Sequence, residues 1–207
     1  MGSRNKRAER CPACRMHLKD CLCALIPKLT IQTRVIVVMH HREWNKPTST
    51  ARLFALASPS CEIRLRGRKD VPFDSTGIVT PERRILLLQP REGAEILDQS
   101  LLARDPRPVT LVVPDGSWRQ ADKISAREPV LQSLPAVALP DMGPSQYQLR
   151  NESRKGGLAT FEAIARALRI LEGEAVYAPL NTLFTEMVER TLATRRSGAS
   201  RGRPAAP

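Results

Sequence analysis

The sequence predicts an α/β fold built on a mostly parallel sheet, and three features indicate this fold class. Short apolar runs rich in β-branched residues recur along the chain, bounded by proline or polar residues, as is typical of strands buried on both faces. Segments with helical periodicity separate these runs, and the order strand, helix, strand, helix favours helical crossovers over a sandwich or a bundle. The length of 207 residues suits one domain with a substantial core.

The first half of the chain contains two predicted strands and one predicted helix. Residues 31–39 form a β-branched run after Pro27 and are predicted to be a strand. A helix containing Leu53, Phe54 and Leu56 is expected to begin near residues 47–50. Cys61 opens a second candidate strand, where its thiol is expected to behave as a small buried hydrophobe.

The centre of the chain contains two further predicted strands. Residues 84–88 are predicted to be a strand ending before Pro90, and residues 93–102 are predicted to be a helix. Residues 109–113 are predicted to be a buried strand that stops at Pro114, because proline cannot donate a hydrogen bond to a sheet. A helix is expected from Trp118 onward, with Ser117 capping its first amides.

The last third of the chain is predicted to be mainly helical. After a weaker strand at residues 136–139, the cationic, glycine-bearing loop 151–157 leads into a helix at residues 158–168. Such a loop before a helix N-terminus favours an anion site, although it can equally be an ordinary entry turn. Residues 176–192 are predicted to form a helix that is broken near Pro179, and residues 195–207 a disordered tail.

The charge of the chain indicates a polyanionic partner. There are 33 lysine and arginine residues against 21 acidic residues, a net charge of +12, and about +7 of it lies in residues 1–10 and 195–207. We find neither a signal peptide nor an apolar run of membrane-spanning length, so we expect a cytoplasmic protein with reduced thiols and no membrane association. The sequence indicates no obligate protein partner.

Four of the five cysteines form a cluster near the start of the chain, spaced x2, x6 and x1: Cys11, Cys14, Cys21 and Cys23. In a reducing compartment, four closely spaced thiols favour tetrahedral Zn²⁺ over disulfides. Four protein ligands leave no open position for a substrate, so the zinc is expected to be structural. We therefore predict a zinc-binding module over residues 11–30.

The end of the predicted central strand combines several reactive groups. Asp115, Gly116, Ser117 and Trp118 follow the strand directly, and in open α/β sheets ligands bind beyond the carboxyl ends of the strands. The alternative is a simple turn in which Asp115 caps a helix and Trp118 packs. Neither a dinucleotide fingerprint, nor a nucleoside-triphosphate loop, nor a nucleophilic serine motif is present in the sequence.

The segment Asp115-Gly116-Ser117-Trp118 resembles the Asp-x-Thr-Trp signature of the DTW-domain family of tRNA-uridine aminocarboxypropyltransferases. The resemblance extends in order over roughly residues 11–170. It departs from the family at Ser117, where threonine is usual, and at Arg91, where glycine usually follows the proline. The other matching segments are the four cysteines, His41-x-Glu43-x-x-Lys46 with Thr48-Ser49-Thr50, Leu88-Gln89-Pro90, Tyr147-Gln148-Leu149-Arg150, and Gly157-Leu158-Ala159-Thr160 with Glu162-Ala163.

The resemblance implies a SPOUT-like fold whose cofactor lies in a knotted region, within a catalytic domain spanning residues 31–194. It implies transfer of the 3-amino-3-carboxypropyl group from S-adenosylmethionine to N3 of a tRNA uridine, releasing methylthioadenosine. The expected catalytic residues are Asp115, Ser117 and Trp118. The expected cofactor-binding residues are Leu88, Gln89, Pro90, Gly116, Leu158, Ala159 and Thr160. The cations expected to contact RNA are Lys46, Arg52, Arg119, Arg150 and Lys155.

The role of Asp115 has three interpretations at this stage. It can act as the general base for N3, position the base through the N3–H group, or stabilise the sulfonium electrostatically. Two other functions remain as alternatives for the chain, namely a SPOUT-like RNA methyltransferase and a non-catalytic zinc-containing RNA-binding module.

Overall fold

The computed structural model describes residues 9–46, 49–147, 149 and 157–200. These residues form an α/β structure around one parallel sheet, which confirms the predicted fold class. The strands are β1 (Arg34–His40), β2 (Cys61–Arg66), β3 (Arg84–Leu88), β4 (Glu95–Ile96), β5 (Val109–Asp115) and β6 (Ala136–Ala138). The helices are α1 (Thr50–Ala57), α2 (Gln99–Ala103), α3 (Trp118–Arg127), α4 (Pro129–Gln132), α5 (Thr160–Glu172) and α6 (Glu174–Ser200).

The strand order is β2-β1-β5-β3-β6-β4, with every neighbouring pair parallel. Strand β5 lies between β1 and β3, with Leu111 opposite Val35 on one side and Leu86 on the other. All seven residues of β5 are buried. The carboxyl end of β5 therefore opens at the middle of one edge of the sheet, where α/β proteins usually bind ligands.

The two faces of the sheet carry separate apolar clusters, because successive strand residues point to opposite faces. Val35, Val37 and Met39 of β1 pack on the face covered by α1, α5 and α6, whereas Ile36 and Val38 pack on the face covered by α3 and α4. A run of continuous apolar residues was therefore the correct signal for this strand.

The four-cysteine segment packs against the last helix. The Arg190 guanidinium donates to the carbonyl oxygen of Cys21 at 2.9 Å, and the Thr194 hydroxyl donates to the Asp20 carboxylate at 2.5 Å. The segment is thus attached to α6 through contacts between residues far apart in the chain. Among the described residues, we find no helix long and apolar enough to cross a membrane.

The predicted end of the central strand at Pro114 is wrong. Strand β5 continues to Asp115, with Pro114 opposite Val38 of β1. The pairing of β5 with β3 ends at Val112, so the last residues of β5 pair with β1 alone. Proline has no amide hydrogen to donate, so it is tolerated in a strand where one side makes no hydrogen bonds to a neighbouring strand.

The predicted helix over residues 93–102 is correct only over residues 99–102. The structure has the short strand β4, which pairs with β6, followed by the five-residue helix α2. Asp98 caps α2 by accepting a hydrogen bond from the Leu101 amide at 2.7 Å. Pairing with a distant strand thus overrode a locally helical pattern, as tertiary context often does.

The predicted break near Pro179 does not occur, because α6 runs continuously through this residue. Proline removes one hydrogen bond near the start of the helix, while Leu180, Leu183 and Phe184 remain buried against the core. Helix α6 extends to Ser200, into the segment predicted to be a tail. The disordered basic tails predicted at residues 1–10 and 195–207 are therefore wrong at their inner ends. Residues 195–200 are helical, and the Glu9 carbonyl oxygen accepts from the Leu18 amide. Residues 1–8 and 201–207 lie outside the described residues, so there the tails remain predictions.

Candidate active site

A cavity of about 580 Å³ opens at the carboxyl ends of the strands. Segments after β1, β3, β5 and β6 form its walls, together with the first residues of α1 and α5. All ten residues that the sequence predicted to be catalytic or cofactor-binding line this cavity: Leu88, Gln89, Pro90, Asp115, Gly116, Ser117, Trp118, Leu158, Ala159 and Thr160. The structure therefore brings together residues from three separate motifs, although their individual roles remain predictions.

Asp115 lines the cavity. Its side chain belongs to the last residue of β5 and is buried, with 6% of the residue exposed. The hydroxyl of Thr160, the first residue of α5, donates a hydrogen bond to Asp115 Oδ1. The carboxylate is thus held by a hydroxyl from another motif, which fixes its orientation toward the cavity wall formed by α5.

The turn after Asp115 is shaped by a capping box at the start of α3. The backbone amide of Ser117 donates to Gln120 Oε1 at 2.8 Å, and the Gln120 amide donates to Ser117 Oγ at 3.4 Å. This confirms that Ser117 caps the helix. A side chain at Gly116 would place its Cβ 2.8 Å from Gln120 Cβ, so glycine is required for the turn to close onto α3.

Gln89 is a buried polar residue in the cavity wall, with 5% of its surface exposed. Its Nε2 donates to Asp122 Oδ1 of α3 at 3.0 Å, and its backbone amide donates to the Val137 carbonyl oxygen at 2.9 Å. Within the part of the chain that the structure describes, Gln89 Oε1 has no hydrogen-bond partner. An unsatisfied buried acceptor is unfavourable, which is consistent with a ligand or water in the complete site.

A buried ion pair on α5 holds one wall of the cavity, and sequence reasoning did not identify it. Glu162 and Arg166 lie one helical turn apart with Oε1 and Nη2 at 2.9 Å, and their side chains are 6% and 8% exposed. Arg166 donates to the carbonyl oxygens of Gly143 and Pro144 at 2.8 and 2.7 Å. Glu162 accepts from the Ser145 hydroxyl at 2.6 Å and from the backbone amide of the next residue at 2.9 Å.

The only sequence signal for this ion pair was the spacing of Glu162 and Arg166 at i and i+4 on a helix, which is far more common on exposed helical surfaces. We call the pair and residues 143–146, which it binds, the loop clamp. The loop clamp fixes the segment after β6, and Asp141, Met142 and Gly143 of that segment line the cavity.

The predicted RNA-contacting cations have different environments. Lys46 forms an ion pair with the buried Glu43, with Nζ and Oε1 2.5 Å apart, and Glu43 lines the cavity. Arg52 donates to the Trp44 carbonyl oxygen at 3.0 Å, and its guanidinium lies 4.5 Å from the centre of the Trp44 ring. Arg119 is exposed on α3. Arg150 and Lys155 lie outside the described residues.

The four clustered cysteines form a site that can hold a metal ion. The sulfur atoms of Cys11, Cys14, Cys21 and Cys23 all lie within 4.8 Å of one another. The backbone amide of Cys14 lowers the pKa of the Cys11 thiol to about 6, whereas burial raises the pKa of Cys14 and raises that of Cys23 to about 12. The case for a metal site therefore rests on the grouping of the four sulfur atoms. Burial also raises the pKa of the fifth cysteine, Cys61 in β2, to about 12, and Cys61 lies outside the cluster.

Comparison with known proteins identifies relatives along nearly the whole chain. The DTW domain matches residues 8–192. A Macaca fascicularis protein named tRNA-uridine aminocarboxypropyltransferase 2 is 29% identical over 202 residues, covering 93% of this chain and 68% of the relative. A Drosophila melanogaster protein with the same name is 26% identical over 189 residues, covering 86% of this chain and 74% of the relative.

A plant protein is similar to the chain over a comparable length. The Arabidopsis thaliana tRNA-uridine aminocarboxypropyltransferase A is 25% identical over 213 residues, covering 88% of this chain and 80% of the relative. No solved structure matches the chain at a significant level.

Proposed function

The chain belongs to the DTW domain family, and on that premise we propose that it transfers the 3-amino-3-carboxypropyl group of S-adenosylmethionine to N3 of a uridine in tRNA. Methylthioadenosine is the second product. The observation that carries this proposal is the position of the Asp115 carboxylate, which is buried at the end of the central strand. Each segment of the α/β domain that matches the family contributes described residues to the cavity around it. The names of the relatives support the same reaction class.

The cavity fits a nucleoside-sized cofactor. Its volume of about 580 Å³ lies within the range of small-molecule sites, and its walls combine apolar residues with a few polar groups. The unsatisfied Gln89 Oε1 provides an acceptor that a ligand or a bound water can complete. When bound, S-adenosylmethionine supplies an electrophilic carbon next to a sulfonium, which needs no metal activation. The cofactor would be held between two sets of cavity residues. Leu88, Gln89 and Pro90 form one set, and Leu158 and Ala159 form the other.

Asp115 is the residue proposed to act on the nucleophile. Uridine N3 carries a weakly acidic proton that must leave as the N3–C bond forms and the C–S bond breaks. A carboxylate within hydrogen-bond reach can accept this proton, and it can also hold the N3–H group in line before transfer. The hydrogen bond from Thr160 fixes one oxygen of the carboxylate and so orients the other lone pairs.

Selection of the aminocarboxypropyl carbon over the methyl group is a question of orientation. Whichever carbon faces N3 reacts, because proximity and alignment govern the rate of a displacement. The loop clamp and the α3 capping box hold two walls of the cavity in fixed positions relative to Asp115. Trp118 lines the same cavity and offers a ring on which the target uracil or the adenine can stack.

We propose that the four-cysteine cluster binds one structural Zn²⁺. Zinc–sulfur bonds of about 2.3 Å place tetrahedral sulfur atoms roughly 3.8 Å apart. The Sγ atoms of Cys11 and Cys23 are 3.5 Å apart, and those of Cys14 and Cys21 are 3.8 Å apart, in agreement with this geometry. Four thiolates leave no position for a substrate, so the ion stabilises the module and takes no part in the transfer.

The remaining parts of the proposal come from the resemblance and the charge. The RNA contacts, the knotted cofactor region and the cytoplasmic location all stay predictions. The residues predicted to contact RNA are Lys46, Arg52, Arg119, Arg150 and Lys155. A net charge of +12 supports a nucleic-acid partner, because binding a polyanion releases condensed counterions.

The decisive experiment is mass spectrometry of tRNA nucleosides after incubation of the purified protein with S-adenosylmethionine and unmodified tRNA. We expect a uridine bearing an aminocarboxypropyl group and an equal amount of methylthioadenosine. Methylated nucleoside with S-adenosylhomocysteine would instead identify a methyltransferase. Binding of tRNA without any affinity for S-adenosylmethionine in calorimetry would identify a non-catalytic RNA-binding module.

A further inference from the structure

A second surface lies at the same edge of the sheet as the candidate active site, at the carboxyl ends of β1 and β2. The pairing of β1 with β2 and with β5 places Leu65, Met39 and Asp115 in one row across three neighbouring strands. Neighbouring strands are about 4.8 Å apart, so the end of β2 lies about 10 Å from Asp115. The residues that follow β1 and β2 are therefore close to any nucleotide whose base enters the cavity.

The segments that follow β1 and β2 contact each other directly. The His41 amide donates to the Arg66 carbonyl oxygen at 2.9 Å. Gly67 comes next, with φ 84°, and a Cβ at this position would lie 3.4 Å from His40 Nε2 and 3.7 Å from His41 Cδ2. Glycine adopts this left-handed conformation without strain, so the chain can turn while it stays against the two imidazole rings.

The two segments present three exposed cations, Arg42, Arg68 and Lys69. We call residues 40–42 and 67–69 the basic rim. Within the part of the chain that the structure describes, none of the three cations forms an ion pair or a side-chain hydrogen bond. Their charges are therefore available to a partner outside the fold.

The carboxylates beside the basic rim do not neutralise it. Glu43 pairs with Lys46, and Glu128 pairs with Arg66, so these two acids already have cationic partners. The exposed Asp70 follows the rim directly. Three cations less this one acid leave a net charge of about +2 when the histidines are neutral.

The opposite side of the cavity has the opposite charge among the described residues. Strand β6 lies two places from β5 in the other direction, and Asp141 and Met142 after it line the cavity. Residues 136–149 contain neither lysine nor arginine. A polyanionic strand is therefore attracted to the β2 side of the cavity and repelled by the acid on the β6 side.

We propose that the basic rim binds the phosphate backbone of the tRNA next to the uridine that enters the cavity. Phosphate contacts fix the register and orientation of a nucleic acid, which a base that must leave its stack to reach a buried carboxylate requires. Arginine suits this contact because its planar fork matches two phosphate oxygens and stays charged at physiological pH. The inference rests on the proposed function for the identity of the partner, and it names the surface that holds the flanking nucleotides.

The test uses the full-length protein with Arg42→Gln, Arg68→Gln and the two combined. Both positions are exposed and make no side-chain contact, so the melting temperature and the affinity for methylthioadenosine should not change. The affinity for tRNA, measured by fluorescence anisotropy at low salt without S-adenosylmethionine, should fall about fivefold for each substitution and about 20-fold for both. The slope of log K against log salt should become shallower by about 0.7 to 0.9 per substitution.

Lys28→Gln is the matched control, because Lys28 is exposed and makes no described side-chain contact. The amide of the next residue, Leu29, donates to the Ala57 carbonyl oxygen at the end of α1, four residues before β2 begins. Lys28 therefore lies near the amino ends of the strands, and the length of β1 separates it from the basic rim by about 20 Å. Lys28→Gln should leave the tRNA affinity nearly unchanged, and Arg68→Lys, which keeps the charge, should retain most of it.

The outcomes distinguish this inference from the proposed function. Unchanged tRNA affinity and salt slope in the combined variant would overturn the docking role even if the protein modifies uridine. An equal loss of affinity in Lys28→Gln would overturn it as well, since net charge alone would then account for the effect. Weaker binding by the combined variant, without any aminocarboxypropyl product from the unmodified protein, would instead uphold RNA docking and reject the proposed reaction.

Discussion

Asp115 and Thr160 are 45 positions apart in the chain, yet the Thr160 hydroxyl donates to Asp115 Oδ1. The carboxylate ends the most buried strand of the sheet, and the hydroxyl begins the helix that covers this strand. A buried carboxylate is stable only when hydrogen bonds replace the water it has lost. The chemistry proposed for the site therefore depends on two side chains that belong to different motifs.

The substitution Asp115→Asn tests the need for negative charge. Asparagine keeps the volume and an oxygen that can accept from Thr160, but it cannot take a proton from N3. We expect the rate of uridine modification to fall by at least about 100-fold, with little change in methylthioadenosine binding. Single-turnover rates by mass spectrometry and calorimetry measure the two effects.

The matched control is Asp141→Asn, which removes a second carboxylate from the same cavity. Asp141 Oδ1 accepts from the Gly143 amide at 2.9 Å, and asparagine can preserve that bond. This variant should retain most of the turnover. If Asp115→Asn turned over as fast as Asp141→Asn, Asp115 would have no part in the chemistry.

Thr160→Val tests the orienting hydrogen bond, because valine has nearly the shape of threonine and no hydroxyl. Loss of a hydrogen bond to a buried carboxylate should lower kcat about tenfold, with a smaller change in KM. Thr160→Ser keeps the hydroxyl and should restore most of kcat. Equal kcat values for the valine and serine variants would show that the hydroxyl does not position Asp115.

At the scale of elements, the shape of the site depends on three helix beginnings that meet the carboxyl ends of the strands. Thr50 of α1 accepts from the Phe161 amide of α5 at 3.2 Å, and the Ser117 capping box fixes the start of α3. The loop clamp adds the segment after β6 to this arrangement. Each contact joins elements whose relative positions set the width of the cavity.

Arg166→Met tests the loop clamp. Removing one partner of a buried ion pair leaves Glu162 uncompensated, so the free energy of unfolding should fall by about 3–5 kcal/mol. Affinity for methylthioadenosine should also fall, because residues 141–143 lose their anchor. Urea denaturation and calorimetry measure these changes.

Arg169→Met is the control on the same helix, since Arg169 forms an exposed ion pair with Glu174. It should alter the free energy of unfolding by no more than about 1 kcal/mol. Combining Arg166→Met with Glu162→Gln should recover part of the lost stability, because no buried charge then remains unpaired. Equal destabilisation by Arg166→Met and Arg169→Met would contradict the importance of the loop clamp.

At the scale of the whole molecule, the four-cysteine module and the α/β unit act as one structure. Residues near both ends of the chain meet where Arg190 and Thr194 of α6 contact the module. Loss of the proposed metal is therefore expected to destabilise the module and α6 together.

Metal removal tests this coupling. A chelator should release about one zinc ion per chain and lower the melting temperature by about 10 °C, because unfolding of the module exposes the side of α6 against which it packs. Cys14→Ser should show the same loss of metal. Cys61→Ser should keep the ion, since Cys61 lies in β2, apart from the cluster. A metal-free protein with an unchanged melting temperature would contradict the coupling.

Local patterns in the sequence were sufficient to predict β1, β2, β3, β5 and β6. Continuous apolar residues marked β1, β3 and β5, which are buried on both faces, whereas the half-buried edge strand β2 alternates polar and apolar residues. They also predicted that Asp115 lies at the carboxyl end of the central strand, although not that the strand includes it, and that Ser117 caps α3. They were misleading at residues 93–98, where the pairing of Glu95 and Ile96 with β6 overrode a helical pattern. They gave no signal for the partners of Arg166, because an i, i+4 pair looks the same whether it is buried or exposed.

The sequence by itself determined the fold class, the four-thiol site and the set of motifs that line the cavity, because each depends on residue type and short spacing. Only the tertiary structure decided the strand order, the donation of Thr160 to Asp115 and the loop clamp. These contacts join residues tens of positions apart. Their distances follow from how the helices pack on the sheet, a property of the whole fold that no local segment encodes.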